Sequence, residues 1–249
     1  MRDVQKMEKV SGTVLGTFEI FQMLDINVRN DIAHKLQMYK VNKGQFVISG
    51  ANADTDVYFL ISGRIRVCAF AQRGKQIHFE ELHSGMMFGE LSAIDGMKRS
   101  SDCISLEDCH LATMSNDHFK SILNEYSQVQ HAVLIRLAGM VRANMQKVYE
   151  FGAMSVPQRI RCELLRLASE AKSNSSEIVL SNVPTHLEIA SRISTHREAV
   201  TREVNALESN GLITWKKNKH IIHDVARLSE LVMPVDSQGS GDKDSKRTD

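Results

Sequence analysis

Apolar positions change their period twice along this chain, which divides it into three predicted regions. From about Phe18 to Ala33 the spacing is helical. The next stretch alternates in short runs, such as Val57-Tyr58-Phe59-Leu60-Ile61 and Arg64-Ile65-Arg66-Val67. Lys43-Gly44, Ser49-Gly50, Ser62-Gly63, Arg73-Gly74, Ser84-Gly85 and Asp95-Gly96 punctuate it as turns. Short strands between frequent turns predict an antiparallel sandwich or a jelly-roll-like β-barrel. From about Asn116 to Gly152 the pattern is helical again, with Leu134, Leu137, Val141, Asn144, Val148 and Phe151 at spacings of three and four. That stripe is heptad-like and predicts a dimerisation helix, although a helix facing its own core would show the same pattern. Asn144 inside the stripe needs a polar partner in the other helix or in a ligand.

Between Phe151 and Pro157 a glycine, a cap at Ser155 and an early proline predict a helix break that can act as a hinge. A helix from about Gln158 to Lys172 then opens a C-terminal domain, followed by a solvated loop over Lys172–Ser176. Thr185 to Ile193 and the run carrying Val200, Val204 and Leu207 read as two short helices. The polar triplet Ser194-Thr195-His196 joins them, and Asn210-Gly211 ends the second. Two helices on a tight turn form the unit that lays its second helix in a DNA major groove. Arg197 and Glu198 sit in the first turn of that helix, and Arg202 follows one turn later. Arginine suits guanine O6 and N7, and a carboxylate suits cytosine N4. The competing reading is an amphipathic surface helix capped by Thr195 with Glu198 three positions on. Leu212–Trp215 and His220–His223 flank Lys216-Lys217-Asn218-Lys219 and predict a β-hairpin wing whose basic tip meets phosphate. The fold class is therefore α+β. The predicted domains are a β-barrel over 18–126, a dimerisation helix and hinge over 127–154, a winged helix-turn-helix over 155–233, and a disordered tail over 234–249.

Composition narrows this picture. The 249 residues leave room for two modest domains, and 42 % hydrophobic with 24 % charged residues describes an ordinary water-soluble chain. No apolar run approaches the ~20 residues of a membrane span, and Met1–Lys6 carries no apolar signal core, which predicts a cytoplasmic protein with no membrane partner. A net charge of +1 requires any DNA affinity to come from a local basic surface. Cys68, Cys103, Cys109 and Cys162 have no short metal-ligand spacing and are expected to be reduced and structural, with no metal. No nucleophile–base set or Walker loop is visible, so an enzyme is not expected.

One segment of the β region carries chemistry: Gly85-Met86-Met87-Phe88-Gly89-Glu90-Leu91-Ser92, followed by Arg99-Ser100. A glycine turn feeding a short helix offers free backbone N–H groups to an anion. Glu90 can accept from a hydroxyl pair such as a ribose, and Arg99 with Ser100 can hold a phosphate. These parts describe a cyclic-nucleotide site. A plain Glu–Arg salt bridge across a hairpin fits the same residues.

The order of β-barrel, long helix and winged helix-turn-helix resembles the CRP/FNR transcription regulators, from about Phe18 to Asp224. Phe88-Gly89-Glu90-Leu91 through Arg99-Ser100 resembles the phosphate-binding cassette of cyclic-nucleotide-binding domains, and Thr185 through Leu212 resembles the family's helix-turn-helix. The resemblance implies that Glu90 takes the ribose, that Gly89 and Leu91 line the cassette, and that Arg99 and Ser100 hold the cyclic phosphate. It implies base reading by Arg197, Glu198 and Arg202 on a palindromic TGTGA-like operator. Thr185, His196, Lys217 and Lys219 are further expected DNA contacts. Asn144 and Met145 stand where the cyclic-nucleotide branch has a Thr-Ser pair facing the purine, a departure that leaves both cyclic AMP and cyclic GMP open as effector. The expected partners are double-stranded DNA, a second copy of the chain and RNA polymerase. The competing readings are a haem or gas sensor of the same fold, for which Cys68 and His78 are the candidates, and a nucleotide-binding protein that acts through protein partners.

Overall fold

The computed structural model describes residues 9–51, 54–70, 76–171, 177–181, 183–217 and 219–232. The chain divides into two compact units, residues 1–147 and 148–249. The predicted tail over 234–249, the loop over 172–176 and the Arg73-Gly74 turn lie outside the described residues.

The first unit begins with α1 (Gly12–Leu15), a 3-10 turn at Glu19–Phe21 and α2 (Ile26–Ala33). Ser11 and Asp25 cap the two helices by accepting from Val14 N and Asn27 N. Eight strands follow: β1 (Gln37–Val41), β2 (Phe46–Ile48), β3 (Val57–Ser62), β4 (Ile65–Phe70), β5 (Gln76–Leu82), β6 (Met87–Phe88), β7 (Asp102–Ser105) and β8 (Cys109–Met114). Between β6 and β7 lies α3 (Glu90–Asp95), and after β8 come α4 (Asn116–Glu125) and α5 (Ser127–Ala153). The helical stretch from Asn116 is interrupted at Tyr126, an extended residue that ends α4 at the predicted boundary between residues 126 and 127.

The strands pair antiparallel in two sheets, β1-β8-β3-β6 and β2-β7-β4-β5. No hydrogen-bonded closure joins them among the described residues, so the expected barrel is instead a two-sheet sandwich. The short strands explain this: β2 has three residues with a bulge in its pairing, and β6 has two, too little ladder to carry hydrogen bonding around a corner. Strand β3 shows why its sequence does not alternate. Tyr58 and Leu60 pack between the sheets with Ile65, Leu82 and Leu111. Val57 and Phe59 face the opposite way, into a cluster with Phe18, Phe21, Phe119, Val129 and Val133 from the helices. Both faces of the strand are covered, so its apolar run is continuous. Phe18 meets Phe59 edge-on at 5.3 Å, and Tyr58 stacks on Phe88 at 5.2 Å.

The second unit contains α6 (Val156–Glu170), β9 (Ile178–Val179), α7 (His186–Arg192), α8 (Arg197–Ser209), β10 (Ile213–Lys216), β11 (Lys219–Ile222) and α9 (Val225–Glu230). Its core is one cluster in which Ile160 and Leu164 of α6 meet Ile189 and Ile193, Val200, Val204 and Leu207 of α8, and Ile213 and Ile222 of the hairpin. The expected break before α6 is present, with Ser155 and Gln158 forming a capping box and Pro157 in the first turn. Thr185 and Glu188 form another capping box at the start of α7. At α8 the Thr195 cap of the competing surface-helix reading is not formed. His196 is the cap residue, and it makes no side-chain bond, so Arg197 and Glu198 open the first turn as expected. The turn between the helices contains Ser194 at φ 53°, the one non-glycine residue with positive φ among those described. Three buried carboxylates in this unit are each met by arginine: Glu203 by Arg161 at 2.7 Å, Glu163 by Arg166 at 2.7 Å and Arg192 at 2.9 Å, and Glu150 by Arg166.

Candidate functional site

The first candidate site is built at the start of α3. Gly89 adopts φ 83° between β6 and the helix, and a Cβ there would lie 2.8 Å from an Arg99 nitrogen and 3.0 Å from the Asp56 carbonyl. Only glycine allows both the left-handed backbone and that approach. The next residue, Glu90, is 3 % exposed. Its carboxylate meets Arg136 Nε of α5 at 3.7 Å, beyond hydrogen-bond length. Burial raises the Glu90 pKa above the usual carboxylate range, and Arg136 pulls it partly back. Arg136 itself donates from Nη2 to the Met87 carbonyl at 2.9 Å.

Arg99 is 7 % exposed and held on three sides. It donates to the Gly89 carbonyl at 2.9 Å and the Asp56 carbonyl at 2.8 Å, and it forms an ion pair with Asp54. Its guanidinium lies 5.7 Å from the centre of the Tyr58 ring. Nε of Arg99 and Nε of Arg136 are both buried without a hydrogen-bond partner. The start of α3 thus gathers a loosely met carboxylate and two unmatched N–H groups in a buried place. A ligand with a hydroxyl donor and an anion fits that set of donors and acceptors.

Sequence reasoning put Gly89, Glu90 and Arg99 together, and the structure does so. Leu91 and Ser100 lie on the surface beside them. Asn144 and Met145 stand exposed on α5, Met145 at 67 %. Two residues of the site were missed, Arg136 and Asp54. Arg136 left a signal, because it is the lone charge in the run from Ala132 to Val141. Cys68 and His78 sit opposite each other on β4 and β5, both buried, and burial raises the Cys68 thiol pKa.

The second site is the outer face of α8. Arg197, Glu198 and Arg202 are exposed, and with Thr201 and Asn205 they line one shallow depression. Val200, Glu203, Val204 and Leu207 are buried on the other side of the helix. Thr201 donates to the Arg197 carbonyl at 3.1 Å and contacts His186 Nδ1 at 2.9 Å. Burial lowers the His186 pKa, with Arg197 and His220 adding to the effect. Thr185 and His196 cap α7 and α8. The wing is an antiparallel hairpin, β10 against β11, with exposed Lys216, Lys217 and Lys219 around its turn. Trp215 packs edge-on against the facing His220 at 4.8 Å, one pair in from Lys216 and Lys219 beside the turn.

Comparison with known proteins identifies two domains in the chain. Residues 39–126 match the cyclic nucleotide-binding domain, and residues 158–231 match the Crp-like helix-turn-helix domain. A CRP-like cAMP-activated global transcriptional regulator of Mycobacterium tuberculosis is 23 % identical over 217 residues, covering 87 % of this chain and 97 % of the relative. Among solved structures, CooA from Carboxydothermus hydrogenoformans superposes with a TM-score of 0.76 at 15 % identity, covering 92 % of this chain and 98 % of that one. CLP, a c-di-GMP responsive global regulator of Xanthomonas campestris, gives 0.67 at 17 % identity, covering 79 % and 97 %. No described helix is long and apolar enough to cross a membrane. With a nucleotide-binding domain followed by a Crp-like DNA-binding domain, the chain belongs to the CRP/FNR transcription regulators, which are not enzymes.

Proposed function

We propose that this regulator responds to a purine cyclic nucleotide, cyclic AMP with cyclic GMP as the alternative, and that the liganded homodimer binds a palindromic TGTGA-like operator in the cytoplasm. The observation that carries the effector reading is the buried Glu90 carboxylate with its long contact to Arg136, next to the unmatched Nε of Arg99. A buried carboxylate with few donors is costly, and the free 2′-hydroxyl of a cyclic nucleotide's ribose is a donor that could meet it. Arg99 takes the cyclic phosphate by exchanging part of its bonding to Asp54. The relative from Mycobacterium tuberculosis, named as cAMP-activated, supports the choice of nucleotide.

The dimer reading rests on α5. Leu134 and Val141 are each 58 % exposed and Val148 is 71 % exposed, a heptad-spaced stripe that a second copy would cover. Asn144 lies in that stripe, exposed, and Leu137 packs partly into the core of its own chain. In the assembled dimer Asn144 and Met145 would meet the purine and tie ligand binding to the register of the paired helices. Two recognition helices so joined reach successive major-groove faces ~34 Å apart. RNA polymerase is the further partner that such a regulator would engage from the operator.

Calorimetry with cyclic AMP and cyclic GMP, followed by gel shifts on TGTGA-type DNA with and without nucleotide, tests this. The expected result is saturable binding of one or both nucleotides and a ligand-dependent shift. Absence of any binding, with DNA affinity unchanged by nucleotide, would sink the effector reading and leave a winged DNA binder.

A further inference from the structure

The outer face of α8 contains two polar residues, Thr201 and Asn205, beyond the three expected to read bases. Arg197, Glu198, Thr201, Arg202 and Asn205 fall at i, i+1, i+4, i+5 and i+8, which on a helix is a single face, and together they line the depression. Thr201 is already engaged, since its hydroxyl donates to the Arg197 carbonyl and meets His186. Asn205 is exposed, and its carboxamide makes no hydrogen bond among the described residues. The arginines on the inner elements differ: Arg161, Arg166 and Arg192 are each tied to a buried carboxylate. Asn205 therefore shares with Arg197, Glu198 and Arg202 the condition of a head group presented outward with no internal task.

The chemistry of that head group is specific. A carboxamide places one donor and one acceptor side by side, the pattern that matches adenine N6 and N7 in the major groove, whereas an arginine fork matches guanine. Eight residues at 1.5 Å each set Asn205 about 12 Å along the helix from Arg197, a reach of roughly three to four base pairs. A side chain so displaced cannot duplicate the contact of Arg197. It addresses a different base pair.

We propose that Asn205 is a further specificity-determining residue, reading an adenine in the major groove of each half-site. The inference rests on the DNA-binding reading above and deepens it. It predicts that the preferred operator has an A·T pair within the half-site, at a position unaffected by Arg197.

Selection from a randomised operator library with the full chain, Asn205→Ala and Arg197→Ala tests it, with binding to random DNA as a second readout. The wild-type chain should select adenine at one position per half-site strand. Asn205→Ala should lose that preference alone, by roughly ten- to hundredfold, with affinity for random DNA unchanged. Asn205 is exposed, so the variant should melt with the wild-type chain. Arg197→Ala should relax a different position. If Asn205→Ala weakens binding equally on all sequences, the residue contacts phosphate and the proposal is wrong. If it changes no preference while Arg197→Ala does, Asn205 reads nothing. Should neither variant alter selection, base reading by α8 falls, and this inference with it.

Discussion

The proposed nucleotide site at α3 and the proposed recognition helix α8 each place arginine beside glutamate, and the fold holds the two sets in opposite ways. Arg99 and Glu90 are buried and already have protein partners, Asp54 and two carbonyls for one and Arg136 for the other. Arg197, Glu198 and Arg202 are exposed and aimed outward. The reason is electrostatic. A charge taken out of water must be matched inside the protein, whereas a charge on the surface stays hydrated until its partner arrives. On the proposed reading, a ligand at α3 would bind by exchange of partners, and such exchange is what can bias one conformation against another. Binding at α8 needs no such exchange within the chain. Pocket residues should thus affect both stability and affinity, and reader residues specificity alone.

The largest effect that could break this contrast is at Arg99. Arg99→Ala leaves Asp54 and two carbonyls without their donor. Losing one partner of a buried pair costs about 3–5 kcal/mol, and because Asp54 is partly exposed a smaller figure of about 2 kcal/mol is expected in denaturant unfolding. Nucleotide affinity should fall at least a hundredfold by calorimetry, with Arg99→Lys recovering stability better than affinity. Wild-type stability and affinity in Arg99→Ala would refute the buried-partner account. Next in size is Arg197→Ala. It should remove about 1–3 kcal/mol of discrimination at one base pair while unfolding within about 0.5 kcal/mol of the wild-type chain. A drop in stability comparable to that of Arg99→Ala would erase the distinction between the two sites.

A smaller effect comes from pH. The Glu90 pKa is raised by burial, so the folded chain favours the protonated carboxyl. That contribution to stability is complete below the ordinary carboxylate value and is lost as pH rises through the raised one. The 2′-hydroxyl of a bound cyclic nucleotide, donating to Glu90, would favour the ionised form instead. Nucleotide binding should therefore release a proton within that window, and affinity should climb with pH by about tenfold or less. Titration in two buffers of different ionisation heat measures the release, and Glu90→Gln should abolish it. Proton uptake, or an equal release from Glu90→Gln, would assign the linkage elsewhere.

What the sequence made legible follows the range of the interactions. Glycine turns, the Ser155 cap and the wing hairpin are local, and each was placed within a residue or two. The continuous run of β3 was read correctly as strand, but that it closes into a sandwich rather than a barrel depends on edge strands whose pairing no local pattern reveals. At the site, Gly89, Glu90 and Arg99 were found because α3 and the loop after it keep them close in sequence. Asp54 and Arg136 were missed because they reach Arg99 and Glu90 across 45 and 46 positions of chain, a distance bridged only by the folded sheets and α5. The Thr195 cap of the competing reading is not formed, because His196 takes the cap position after Ser194 adopts a left-handed turn that its side chain does not advertise.

The wing should show the smallest effect, and it sharpens the comparison by isolating charge without base reading. Lys216 and Lys219 are directly opposite in the hairpin, an arrangement in which like charges repel across the strands. Exposed Lys217 adds a third charge at the turn. Holding three cations together is unfavourable in the free chain and becomes favourable only beside an anion, which a DNA backbone supplies. Each lysine that contacts phosphate should lower the slope of log affinity against log salt by about one. Lys217→Ala and Lys219→Ala should therefore flatten that slope and weaken binding a few-fold on operator and random DNA alike, while base selection stays as in the wild-type chain. Because the hairpin loses a repulsion, Lys219→Ala should also melt no lower than the parent. If either variant altered base preference, the wing would be a reader, and reading would not be confined to α8.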